Sequence, residues 1–427
     1  MPLSRSRNSA HHSYDLQQQL ISRYRQVRND SLDICRPLSA EDHCIQTTAE
    51  VSPPKWHLAH TSWFFEAFIL RRQNDAYQPY HPKYDYLFNS YYETMGKPFP
   101  RAQRGLLSRP GVEEILQYRG HVDNAMIEHI ENATSEQFEK LAFLVELGLN
   151  HEQQHQELLY TDIKQILAFN PLHPAYDSTL ATPKSSEAQA IQWLKKSAGI
   201  HHIGNHQNGF SYDNEGPRHR VLLRDHQIAN RTVNNAEYLA FMNAGGYEDC
   251  ALWLADGWKL INDRQWNSPL YWHFIDGKWW YMTLSGLREI DIWAPVTHVS
   301  FYEADAYARW HGSRLPDEAE WELASLDHDP QHGNYRDSGY LQPIASSDDE
   351  GFFGNVWEWT KSPYQAYPGF KPLHGSVGEY NGKFMCNQMV LRGGSCVSPR
   401  EHLRHTYRNF FYPLERWQFT GIRLAKD

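Results

Sequence analysis

The sequence predicts a chain of two unlike domains, an α-helical bundle followed by a loop-rich α+β domain. Three observations predict it. From about residue 13 to residue 170 glycine is sparse and apolar residues recur at spacings of three and four, the period of a helix packed along one side. Residues 171–192 are rich in Pro, Ser and Ala, the composition of a connecting segment. Beyond them Gly, Asn, Asp and Trp become frequent, and the apolar runs shorten to stretches such as HRVLLRDHQIA, KWWYMTL and MVLRGG. That texture reads as small sheets joined by long loops. The expected boundaries are therefore 1–170 for the bundle, 171–192 for the linker and 193–427 for the second domain.

Within the first domain the spacing predicts helices over 15–28, 53–72, 112–133 and 135–169, four rods suited to an up-and-down bundle. Ser52-Pro53-Pro54 looks like a helix start, with Ser52 as N-cap and proline in the first turn. Residues 79–109 are rich in Tyr and Pro and are expected to form a long loop. Loops of that length inside compact domains usually carry function. No tandem repeat is evident.

Composition excludes several classes. The formal net charge is −10 with Lys and Arg scattered, so the basic face that phosphate backbones require is missing, and no nucleic-acid partner is expected. The five cysteines, Cys35, Cys44, Cys250, Cys386 and Cys396, are widely spaced, and no CxxC occurs. This argues against a disulfide scaffold or a thiolate zinc site. No apolar run approaches the roughly 20 residues that span a bilayer, and the N-terminal residues lack a signal-peptide core. No membrane association is expected, and a reducing cytoplasm is the natural setting. Aromatic residues make up 14% of the chain, enough to line pockets for ring-bearing or cationic ligands as well as to fill cores.

The strongest chemical signal is Asn150-His151-Glu152-Gln153-Gln154-His155. Two histidines four apart on a helix share a face, with Cβ atoms roughly 6 Å apart, so both imidazoles can reach one metal ion. Leu144, Leu147, His151, His155 and Leu158 follow helical spacing, which puts the histidines on the inward stripe, and Gly148 one turn earlier would leave room beside the rings. A second stripe runs Trp56, His60, Trp63, Ala67, Leu70 and turns His60 inward. His57 falls about 60° to the side by helical geometry, nearer the bundle edge, and is kept as a spare ligand. A lone interior histidine is more often a hydrogen-bonded core residue than a ligand. Three buried together are hard to satisfy without a shared cation. Neutral imidazoles with open positions suit Zn, Fe or Cu, and spacing alone does not choose among them. HEQQH also matches the HExxH of zinc proteases, in which Glu152 would be the general base.

In the long loop, Tyr91 and Tyr92 are adjacent, and Arg101 and Arg104 are three apart. A tyrosine beside a metal can donate a proton, and two guanidinium forks can grip a carboxylate. Packing rings and a solvated turn are the plainer explanations for each pair taken alone.

Taken in order, SPPKWHLAHTSWFFE, FNSYYETMG, PRAQRGLLSRP and NHEQQHQELL resemble the motifs of the iron(II)-dependent sulfoxide synthases of ergothioneine biosynthesis. In these enzymes a DinB-like four-helix bundle precedes a C-type-lectin-like domain similar to formylglycine-generating enzymes. The second half carries the matching marks RTVNNAEY at 231–238, RLPDEAEW at 314–321, GNVWEW at 354–359 and RGGS at 392–395. The resemblance implies oxidative C–S bond formation between hercynine and cysteine (or γ-glutamylcysteine) with O2, giving a sulfoxide. It implies Fe(II) held by His60, His151 and His155. It implies that Gln154 approaches the substrate imidazole and that one of Tyr91 and Tyr92 supplies a proton, the paired tyrosines resembling the branch that uses free cysteine. Arg101 and Arg104 would bind the cysteine carboxylate. Aromatic faces for the trimethylammonium group would come from Asn409-Phe410-Phe411-Tyr412-Pro413 and from Arg416-Trp417-Gln418-Phe419, with the second domain closing the site; Trp417 and Phe419 also suit a core.

Four rivals remain, one of them a pure binding module with a degenerate lectin-like domain. Formylglycine-generating oxidases use a cysteine pair after the RGGS motif, whereas Cys396 stands alone there. Ovothiol-type sulfoxide synthases act on histidine itself, and many carry a methyltransferase domain not seen before Asp427. A zinc-dependent DinB-type thiol transferase would use the same histidines for different chemistry.

Overall fold

A computed structural model describes residues 3–183, 185–206, 209–345 and 351–427, with side chains from residue 14 onward. The chain divides into two compact units, Met1–Ile166 with Gly375–Val377 and Leu167–His374 with Gly378–Asp427.

The first unit is helical. Its elements are α1 (Leu3–Cys35), α2 (Pro54–Phe65), α3 (Arg71–Gln73), α4 (Tyr84–Phe88), α5 (Val112–Glu131) and α6 (Ser135–Phe169). The rod expected over 53–72 is not one continuous α-helix. Residues Glu66–Leu70 form a π-helical turn between α2 and α3, a feature often found near functional sites. The turn sits where the buried Glu66 carboxylate accepts from the Tyr77 hydroxyl at 2.6 Å, the Tyr118 hydroxyl at 2.8 Å and the Tyr80 backbone N–H at 3.2 Å. Ser52 does not cap α2; Pro53 holds the N-cap position and offers no side-chain acceptor. The Ser52 hydroxyl instead accepts from Arg104 Nη1 at 2.9 Å, and its N–H donates to Asp162 Oδ2 at 2.8 Å.

Every residue of Pro54–Leu70 is buried. A helix enclosed on all sides has no solvent face, so apolar spacing cannot say which of its residues look toward α6. Residues 79–109 are better ordered than a loop. Besides α4 they hold two 3-10 turns, Glu93–Met95 and Arg101–Leu106. The indoles of α2 tie them down: Trp56 Nε1 donates to the Leu87 carbonyl at 3.1 Å and Trp63 Nε1 to Asp85 Oδ1 at 2.8 Å.

The second unit comprises β1 (Trp193–Lys196), β2 (Gly199–Ile203), β3 (His219–Leu223), β4 (His226–Thr232), α7 (Asn235–Asn243), α8 (Ala255–Arg264), β5 (Trp272–Ile275), β6 (Lys278–Thr283), β7 (Gly286–Glu289), α9 (Phe301–Trp310), α10 (Glu318–Ser325), β8 (Trp357–Pro363), α11 (Glu379–Gly382), β9 (Met389–Arg392), β10 (Asn409–Phe411), β11 (Thr420–Gly421) and β12 (Arg423–Lys426). The sheets are small, in the orders β1-β4-β12, β10-β9-β8-β11, β2-β3 and β5-β6-β7; β8 and β11 run parallel and the other paired strands antiparallel. This is the α+β architecture expected.

Two of its sequence marks build the same device. In each, an arginine is followed three residues later by an N-cap and six later by a glutamate at the third helical position. Asn234 and Glu237 form a capping box on α7, and Arg231 pairs with Glu237 at 2.7 and 3.0 Å. Asp317 and Glu320 do the same on α10, with Arg314 on Glu320 at 2.7 and 2.8 Å. The local hydrogen bonds satisfy the helix N-terminus, while the arginine anchors it to the preceding strand or loop. Deeper in the unit, Arg423 clamps Glu358 at 2.6 and 2.7 Å, and Trp321 Nε1 donates to the same carboxylate. Arg392 pairs with Glu322 and Arg408 with Glu318. All five cysteines are free thiols. Among the described residues no helix is long and apolar enough to cross a membrane.

Candidate metal centre

The inward turns of α2 and α6 bring His60, His151 and His155 together. One ring nitrogen from each lies within 4.8 Å of the other two, and His60 Nε2 is 3.3 Å from His151 Nε2. The other nitrogens decide what these can do. His60 Nδ1 faces the Phe88 carbonyl at 2.6 Å. A carbonyl only accepts, so His60 Nδ1 carries the hydrogen and Nε2 keeps its lone pair. His155 Nδ1 is 2.8 Å from His57 Nδ1, which leaves its Nε2 for the cluster. His151 Nδ1 is buried with no hydrogen-bond partner.

Burial lowers the pKa of all three rings. His151 falls to about 4. His60 and His155 fall well below the usual histidine range, by burial first and then by repulsion from neighbouring histidines and Arg104. Three neutral imidazoles, His60 and His151 buried and His155 half-buried, therefore bring one nitrogen each to a common point, a donor set that fits a late first-row divalent ion.

Aromatic rings lock the geometry. His60 is sandwiched between Trp56 (4.6 Å, 11°) and Trp63 (5.6 Å, 18°), and Phe64 lies against His151 at 4.8 Å. Gly148 serves this packing rather than the imidazoles directly. A Cβ there would come within 2.5 Å of Phe65 and 3.0 Å of Phe64, so its bareness lets α2 approach α6. His57 is not at the bundle edge. It is buried, and it binds both His155 and Asp162 Oδ2, the latter at 2.9 Å.

The stack continues outward from His60. The Arg104 guanidinium lies 3.4 Å over Trp56, and Tyr92 packs on Trp63 and Phe68 at 5.8 and 4.9 Å. Arg104 is buried, with donors to the hydroxyls of Ser52 and Ser90. Burial and the charge of Arg101 push its pKa well down. Arg101 is half-buried, donates to the Glu50 carbonyl and lies over the Tyr91 ring. The Nε–H of both arginines is buried and unpartnered, and neither pairs with a carboxylate among the described residues. Gln154 is half-buried on α6 beside His155.

Asn409, Phe410, Phe411 and Trp417 belong to the second unit. There Phe410 stacks on Tyr364 at 4.0 Å and 10°, Phe411 meets Trp417 edge-on at 5.9 Å, and Asn409 Oδ1 accepts the Phe410 N–H.

Glu152 faces elsewhere, which removes the protease reading. It accepts from Arg28 Nη1 at 2.9 Å, from Ser31 Oγ at 2.6 Å and from Arg119. Burial would raise its pKa, but the two arginines and the hydroxyl outweigh it and hold the carboxyl at about 2. It is an interhelical tie, with no proton-accepting role at the cluster. Sequence reasoning passed over Asp162 and the partnership of His57. The signal was present in the seven-residue step from His155 to Asp162, which keeps both on one face of α6.

Fold and cluster together define the class: a DinB bundle holding a cluster of three histidines, joined to a sulfatase-modifying-factor domain. The DinB superfamily matches residues 23–159, and the sulfatase-modifying factor enzyme 1-like domain matches residues 197–349 and 346–427. The hercynine oxygenase of Mycolicibacterium smegmatis is 30% identical over 408 residues, covering 88% of this chain and 91% of that protein. Its Mycobacterium tuberculosis counterpart is 29% identical over 414 residues, covering 90% and 93%. Ergothioneine biosynthesis protein 1 of Schizosaccharomyces pombe is 29% identical over 233 residues, covering 51% of this chain and 28% of that protein. The chain belongs to the hercynine oxygenase family and is an oxidoreductase.

Proposed function

We propose that the chain joins the sulfur of cysteine to the imidazole carbon of hercynine with O2, giving hercynyl-cysteine sulfoxide. The observation that carries this reading is the convergence of three neutral imidazoles, two buried and one half-buried, on one point, in a chain aligned over most of its length with hercynine oxygenases. The reaction balances without an external reductant. A C–H and an S–H are lost, one oxygen atom enters the sulfoxide, and the other leaves as water with both hydrogens.

His60, His151 and His155 are the proposed ligands of Fe(II), and among the described residues no carboxylate shares the cluster. Ferrous iron bound there would supply the redox chemistry that lets O2 act on a thiol. The protein does the rest. Arg104 and Arg101, with buried unpartnered N–H groups, bind the carboxylate of free cysteine, or of γ-glutamylcysteine, in place of a protein counter-ion. Gln154 orients the substrate imidazole. Tyr92, packed on Trp63 against His60, is the proton donor, and Tyr91 rests under Arg101. Phe410, Phe411 and Trp417, with Asn409 beside them, offer ring faces to the trimethylammonium group, which has no hydrogen to donate. A reducing, cytoplasmic setting suits both ferrous iron and a free thiol.

The test is anaerobic loading with Fe(II), addition of hercynine and cysteine, then O2, with product read by mass spectrometry and NMR. The expected result is the sulfoxide with one O2 consumed per product. Coupling to histidine instead of hercynine, or tight zinc binding without O2 uptake, overturns the proposal.

A further inference from the structure

We infer that His57 and Asp162 form a carboxylate–imidazole chain that aims His155 at the metal and strengthens it as a donor, acting as positioning residues. The inference rests on His155 being a ligand. α2 supplies His57 one turn before His60, and α6 supplies Asp162 two turns after His155. His57, His60 and Asp162 are buried and His155 is half-buried, and the links run His155 Nδ1 to His57 Nδ1 at 2.8 Å and His57 Nε2 to Asp162 Oδ2 at 2.9 Å. The Ser52 N–H fixes the far end by donating to the same oxygen at 2.8 Å.

Hydrogen counting gives the chain one direction. Asp162 as a carboxylate can only accept, so His57 Nε2 is the N–H and His57 Nδ1 carries a lone pair. That lone pair must receive the Nδ1–H of His155. His155 is thereby fixed in the tautomer whose Nε2 lone pair points into the cluster. His57 itself has no nitrogen left for a metal, so it is not a fourth ligand. Negative charge at Asp162 polarises both rings in series and makes His155 Nε2 the more basic donor. The three histidines are thus graded. His155 is backed by a charge through a ring, His60 by the neutral Phe88 carbonyl, and His151 Nδ1 by nothing.

The test is anaerobic titration of the full-length apoprotein with Fe(II) and with Co(II), following affinity and the visible Co(II) bands, alongside apoprotein melting. His155→Ala should abolish tight binding. His57→Phe should weaken binding about ten- to hundredfold and shift the Co(II) bands. Asp162→Asn keeps an acceptor for His57 and Ser52 but removes the charge, so a smaller loss in the same direction is expected. The double variant should bind no more weakly than His57→Phe alone, since both act through one bond. Should His57→Phe fail to fold, His57→Asn retains an acceptor for His155 but cannot reach Asp162, and should match Asp162→Asn. A merely structural role would lower melting and leave the affinity and bands of the folded fraction as in the parent. That result, with His155→Ala losing metal, overturns the chain while leaving the ligand assignment standing. Tight binding retained in His155→Ala instead overturns the ligand assignment and this inference with it.

Discussion

Adjacent residues of α6 meet opposite surroundings. Glu152 is buried with two arginines and a serine hydroxyl, and its charge is fully answered. His151, one residue earlier, is equally enclosed, keeps Nδ1 unpartnered and meets another neutral imidazole 3.3 Å away. The second unit repeats the first pattern, pairing Arg423 with Glu358, Arg408 with Glu318 and Arg392 with Glu322. Where a buried charge serves only the fold, an opposite charge is paired with it. Among the described residues, no carboxylate pairs with Arg104 or joins the cluster of His60, His151 and His155.

That contrast can be broken from either side. His155→Ala is the largest change expected, with loss of tight iron binding and of sulfoxide formation. Its apoprotein should melt lower, because the buried His57 Nδ1 lone pair loses the N–H it accepts; retained iron after anaerobic loading and desalting would contradict the ligand role. Tyr92→Phe should bind both substrates yet form product about 100- to 10,000-fold more slowly, the usual worth of a positioned proton donor. Full activity would pass the role to Tyr91 or to water.

On the opposite face, Glu152→Gln should cost about 3–5 kcal/mol of stability, since it strands buried guanidinium charge, while iron affinity of the folded fraction stays the same. Its carboxyl titrates near 2 in the folded chain and near 4.5 when free. Its contribution is therefore complete above about pH 4.5 and fades as pH falls toward 2. A shallower fall in melting temperature below about pH 4.5 in Glu152→Gln than in the parent would confirm the source. Arg104→Lys should raise KM for the thiol substrate about tenfold or more, the cost of roughly 1.5–3 kcal/mol for a charge-assisted contact. An unchanged KM would place the carboxylate elsewhere.

Much of this was legible in the residues, for physical reasons that differ along the chain. The two histidines of α6 stand four apart, so local helix geometry alone puts them side by side, and the rod over Ser135–Phe169 ends where expected. α2 is enclosed on every side, so spacing cannot distinguish His60 from His57, and both prove to be interior. Ser52 resembles an N-cap in isolation, but it is claimed by Arg104 and Asp162, partners 52 and 110 residues away. In the second unit the arginine–cap–glutamate devices are short-range and visible in RTVNNAEY and RLPDEAEW. The parallel pairing of β11 with β8 joins residues over 60 apart and leaves no local trace.

The most direct test of the centre is iron K-edge X-ray absorption on the protein loaded anaerobically with one Fe(II) per chain. The account predicts scattering from three imidazole rings, with no protein sulfur bound. Fewer than three rings in the parent protein, or a cysteine sulfur on the iron, would contradict it.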